Sequence, residues 1–107
     1  MNDDDLSDDD LNEEFRHMAD KFIDLANSLA ETAHPENVSM ALLFAAARFN
    51  AFVVALHAED LNKYNQDQDK AMEFFSGEYQ RMLEENLEDY QQVFNEDLKY
   101  SHLVKKH

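Results

Sequence analysis

Cysteine is absent from this chain of 107 residues, which removes disulfides, thiol nucleophiles and Cys-ligated zinc from consideration. One glycine and one proline leave little material for the tight turns of a sheet-rich fold. Basic residues are scarce too: nine Lys and Arg against twenty-four Asp and Glu leave −15 at pH 7. Such a surface repels nucleic-acid phosphates and anionic lipid heads, so neither nucleic acid nor membrane is expected as a partner. No charged-then-apolar leader precedes the acidic start, and a cytoplasmic protein is expected. Neither a Gly-rich phosphate loop nor a paired Ser-His-Asp motif is there to carry catalysis.

What the chain does have is one long apolar stretch, and the rest is arranged around it. From Val38 to Leu56 only Ser39, Arg48 and Asn50 interrupt a run of Ala, Leu, Phe, Val and Met. Without Gly or Pro inside it, that composition suits a helix. The length approaches the roughly twenty apolar residues of a membrane span. Arg48 near its middle would cost about 2.5 to 3.5 kcal/mol there, and the alanines lower its hydrophobicity further. The stretch therefore reads as the buried central helix of a soluble fold. A helix apolar nearly all round needs cover on several sides. Two neighbours in so short a chain supply only part of it, so self-association is expected, with a dimer foremost, or an unidentified protein partner.

At about 100° per residue, Ser39, Asn50 and His57 fall near one line of this helix. Arg48 points to the other side, together with Ala41, Ala45, Ala55 and Glu59. The structural expectation is that Arg48 pairs with a carboxylate of another helix or subunit and that Asn50 bridges buried backbone. The alternative makes Arg48 an anion ligand, with Asn50 and His57 as companions.

The first ten residues, MNDDDLSDDD, read as an acidic flexible arm, since like charges repel and stay solvated. An EF-hand does not fit, because its Gly and terminal Glu are missing at the required offsets. Ser7, Asp8 or Asp10 is the expected cap of a first helix over 11–33. There Phe15, Met18, Phe22, Leu25 and Leu29 recur at helical spacing and form the predicted core stripe. Pro35 is expected to open the central helix, with Asn37 or Ser39 as competing caps. Residues 61 to 69, LNKYNQDQD, read as a polar turn, with Asn65 or Asp67 starting a third helix over 69–95. Its predicted apolar side is Ala71, Phe75, Tyr79, Met82, Leu83, Leu87, Tyr90 and Phe94. Gly77 weakens it locally and suggests a close helix contact. Residues 96–107 change sign and lose period, as a loosely held tail would.

The expected architecture is all-α: a single helical domain over residues 11–95, a three-helix up-down-up bundle with a buried central helix, completed by homo-oligomerisation. One pair of possible metal ligands stands out, Glu14 and His17, in the E-x-x-H spacing of di-iron bundles. Such bundles need two of these motifs and two further Glu. Here there is one, flanking a stripe committed to the core, so no metal site and no cofactor is expected. The other histidines lack zinc-ligand spacing.

Three segments carry a resemblance: KFIDLAN (Lys21 to Asn27), VSMALLFAAARFNAFVVA (Val38 to Ala55) and EYQRMLEENLEDY (Glu78 to Tyr90). Together they resemble a family of short, acidic, helical bacterial proteins catalogued as a domain of unknown function, with AARFNAF the most distinctive part. The resemblance implies no activity, ligand or functional residue. Three readings follow from the residues. The leading one is a non-catalytic interaction or structural homo-oligomer. The second is a small helical carboxylate-metal or anion-binding enzyme using Arg48, Asn50 and His57 or Glu14 and His17. The third is an acidic mimic of nucleic acid that occupies a basic partner.

Overall fold

A computed structural model of the chain describes residues 8–96. They form three helices, α1 (Asp8–Leu29), α2 (Pro35–His57) and α3 (Leu61–Glu96), with no strand among the described residues. The all-α class is as the composition implied. Residues 1–7 and 97–107, which hold most of the acidic arm and of the basic tail, lie outside the described part. The chain divides into two compact units, up to Leu43 and from Phe44, with the boundary inside α2.

In the first unit, α1 begins at Asp8, three residues before the expected start, and places Asp8, Asp9 and Asp10 in its first turn. Ser7, the preceding residue, is outside the described part. The chain turns through Ala33, whose N–H bonds to Leu29 C=O at 3.0 Å. Asn37 and Val38 N–H then both bond to His34 C=O, at 3.0 and 3.1 Å, so α2 opens on Pro35 as its first helical residue. Proline suits that position because its missing N–H would have no partner there. Neither Asn37 nor Ser39 is the cap, since both lie inside the helix.

α1 covers itself differently from the expected stripe. Its half-buried residues are Ala19, Ala26 and Asn27, with Ala30 in the turn just beyond, whereas Phe15, Met18, Phe22, Leu25 and Leu29 are exposed. The alanines lie to one side of that stripe on the helix surface. A neighbouring backbone approaches most closely over small side chains, so the large ones are left facing outward.

In the second unit, α3 starts eight residues before the expected position. Asp60 is the reason. Its Oδ1 accepts from Lys63 N–H at 2.8 Å while its C=O accepts from Tyr64 N–H at 3.0 Å. An N-cap Asp satisfies one of the orphan donors of the first turn. The polar run then continues as helix, with Gln68 Nε2 donating to Asn65 Oδ1 at 3.0 Å and Lys63 paired to Asp67 at 3.2 Å. In the first half of α3 the half-buried positions, Tyr64, Asp67, Ala71, Phe75 and Glu78, recur at spacings of three and four and mark one seam, and further along only Val93 among the described residues is half-buried. On α2 the matching half-buried positions are Asn50, Val53 and Val54. Beyond Glu78 the apolar side drawn from the sequence is exposed: Tyr79, Met82, Leu83, Leu87, Tyr90 and Phe94. Gly77 marks no close contact, because a Cβ built on it meets nothing within 4 Å.

The expected burial of α2 is not found within one chain. Val38, 9 % exposed, is the one buried hydrophobic residue among those described, and the rest of α2 is half-buried or exposed. The physical reason is coverage. Asn50, Val53 and Val54 are half-buried, and the side of α2 that carries Phe44, Arg48 and Phe52 is left open.

Candidate interaction surface

The open side of α2 is built by helical periodicity from residues on either side of Arg48. Phe44 and Phe52 stand one turn before and one turn after it, with Ala45 and Ala51 between. Phe49 lies beside Phe52, ring centroids 5.8 Å apart and inclined at 42°. These six residues line an open, mainly apolar groove. Phe44 is 68 % exposed, Phe49 63 % and Phe52 54 %. The alanines form a shallow floor and the rings form its walls, a shape that admits a side chain of another helix.

Arg48 makes no ion pair or side-chain hydrogen bond among the described residues. Its own helix offers none, because the positions three and four residues away on either side are Phe44, Ala45, Ala51 and Phe52. Two other cations are engaged locally. Lys63 holds Asp67, and Arg81 donates to Glu78 at 2.9 Å and to Glu85 at 3.1 Å. The hydrogen bond and charge of Glu78, joined by those of Glu85, push the Arg81 guanidinium above its ordinary range. Elsewhere on α3, Gln80 donates to Glu84 at 3.2 Å and Asn86 donates to Met82 C=O at 2.8 Å. Glu84, Glu85, Glu88 and Asp89 are all exposed, the solvated face that their cluster suggested.

The residues singled out in the sequence do not converge. Asn50 lies half-buried on the other side of α2, facing away from the groove that holds Arg48. His57 and Ser39, on Asn50's side by helical angle, are exposed, as are Glu14 and His17 on α1. No group of three or more His, Asp or Glu is placed to hold a metal among the described residues. The groove phenylalanines were not named as site residues from the sequence. Their signal was present all the same: Phe44 and Phe52 sit at i−4 and i+4 from the one charge inside the apolar run.

Among the described residues, α2 is the one helix long and apolar enough to cross a membrane. Its fold and surface define a small, acidic, all-α protein whose apolar face is turned outward. Residues 15–91 match the model of the family described as "Protein of unknown function (DUF3144)", and the chain belongs to that family. The match takes in the whole of α2 and the three segments on which the resemblance rested. Comparison with curated proteins and with solved structures finds no match.

Proposed function

We propose that this chain is a non-catalytic interaction or structural protein of the cytoplasm that works as a homo-oligomer, with a dimer as its basic unit. One observation carries the reading: among the described residues, large apolar side chains on all three helices are exposed while Val38 alone is a buried hydrophobic residue. Monomeric soluble proteins rarely leave contiguous apolar patches larger than a few hundred Å² in water. A chain this small has little core of its own, and burial between copies supplies what the fold lacks.

The test is sedimentation equilibrium on the purified full-length chain at micromolar concentration. The expected species has at least twice the 12.5 kDa chain mass. A strict monomer overturns the reading. So does a chain that fractionates with membranes and needs detergent to leave them, because α2 would then be buried in lipid.

A further inference from the structure

The side of α2 that carries Arg48 is self-complementary when laid against a second copy running the opposite way. Arg48, Phe52, Ala55 and Glu59 follow one another at spacings of four, three and four residues. At 100° per residue Phe52 and Ala55 fall within about 40° of Arg48, on one face, and Glu59 follows in the bend just past the end of α2. α2 ends at His57, and Ala58 N–H bonds to Ala55 C=O at 3.2 Å in a tightened last turn, so Glu59 stands at the C-terminal end of the helix. The order along this face is cation, large, small, anion. Reversed, it reads anion, small, large, cation. A twofold interface requires that if residue i meets residue j, then j meets i. This row satisfies that requirement with opposite charges and with a ring over a methyl.

We propose that two copies of this chain pair through antiparallel α2 helices, with the twofold axis between Val53 and Val54. Arg48 then lies against the partner subunit's Glu59, and Phe52 lies over the partner subunit's Ala55. This deepens the self-association proposed above and rests on it.

Charge complementarity selects a second copy as the occupant. Arg48 is the charged residue of the groove, and no carboxylate of its own helix reaches it. In this register its guanidinium meets the C-terminal end of the partner's α2, where unpaired carbonyls make the negative pole of the helix dipole. Glu59 is exposed just past that end, and the adjacent Asp60 is already engaged with Lys63 N–H. The register is also set by shape. Phe52 would clash with its own counterpart if the axis passed through it, whereas Ala55 leaves room for a ring. With the axis through Arg48, the two guanidinium groups would face each other instead. Phe44, Ala45, Arg48, Phe52 and Ala55 are all exposed, while Asn50, Val53 and Val54 on the other side of α2 are half-buried.

Absence of native cysteine makes the register directly readable by cross-linking. With a rise of 1.5 Å per residue, the two Ala55 positions lie about 4.5 Å apart along the axis and the two Ala45 positions about 25 Å. Under mild oxidation A55C should give a covalent dimer and A45C should not. Cross-linking by both indicates parallel helices and overturns the proposal. Cross-linking by neither, in a chain that sedimentation shows to be dimeric, places the interface elsewhere. That result overturns this inference and leaves the homo-oligomer standing. A wild-type monomer removes both.

Charge exchange is the second arm. R48E makes each chain two charges more negative and E59R two charges more positive. General repulsion alone would weaken association in the first and strengthen it in the second. The pairing instead requires both to weaken it, by about tenfold, with R48E/E59R returning to within about threefold of wild type. Both sites are exposed, and unchanged helicity of each variant by circular dichroism shows that the fold is intact. Stronger association of E59R, or no recovery in the double variant, overturns the proposal.

Discussion

Asp60 decides where α3 begins, through one hydrogen bond of 2.8 Å to Lys63 N–H. Replacing an N-cap Asp by Ala costs about 0.5 to 2 kcal/mol in comparable helices. Asp60→Ala should therefore lower the unfolding free energy read from urea titration by an amount in that range, while Asp60→Asn should retain most of the stability. Gly77 works the other way. It sits inside α3 with open space around the position a Cβ would take. Gly77→Ala should raise stability by about 0.5 to 1 kcal/mol, because alanine loses less backbone freedom in a helix. A loss of stability in the same measurement would mean that something packs against that spot in solution.

Each helix shows a different relation between its pattern and its cover. In α1 the spacing of Phe15, Met18, Phe22, Leu25 and Leu29 identifies which residues share a face. It does not identify which face receives a neighbour, and the structure covers Ala19, Ala26 and Ala30 instead. In α3, residues 61–69 look like a turn by composition, because Asn, Asp and Gln disfavour helix when considered singly. Together they are helical, held by Asp60, by the Lys63–Asp67 pair and by Gln68 donating to Asn65. Further along α3, Arg81 ties Glu78 to Glu85. A raised pKa means that this contribution is complete below the ordinary arginine range and is lost only as pH climbs through the raised value. The helical signal of α3 should consequently be level from roughly pH 7 to 10, and Arg81→Ala should lower it slightly without changing that flatness. A step within this window in the wild type, absent from Arg81→Ala, would contradict the assignment.

For the whole molecule, the governing quantities are −15 of net charge and an apolar surface left in water. Two such chains repel over the screening length, which is about 10 Å at 0.1 M salt. Apolar contact between them is not weakened by salt. Association should thus tighten as sodium chloride rises from 0.02 to 0.3 M, the opposite of what an acidic mimic bound to a basic partner would show. The melting temperature should also climb with protein concentration, since assembly stabilises whatever species it contains. A melting point that stays fixed over a hundredfold concentration range would argue for a monomer.

The all-α class, the extent of the central apolar run, Pro35 as its opening residue and the family resemblance could all be read from the residue order. Each follows from composition, helical period or the fixed chemistry of one residue, which act locally along a chain. The separation of Arg48 from Asn50 around α2 followed from the same period. What needed the tertiary structure was which face of each helix meets a neighbour and which stays open. Coverage depends on the reach and spacing of elements distant in sequence, and no periodicity encodes it. For that reason the large side chains of α1 looked like core and stand exposed, and the groove around Arg48 emerged only once the other side of α2 was seen to be half-buried.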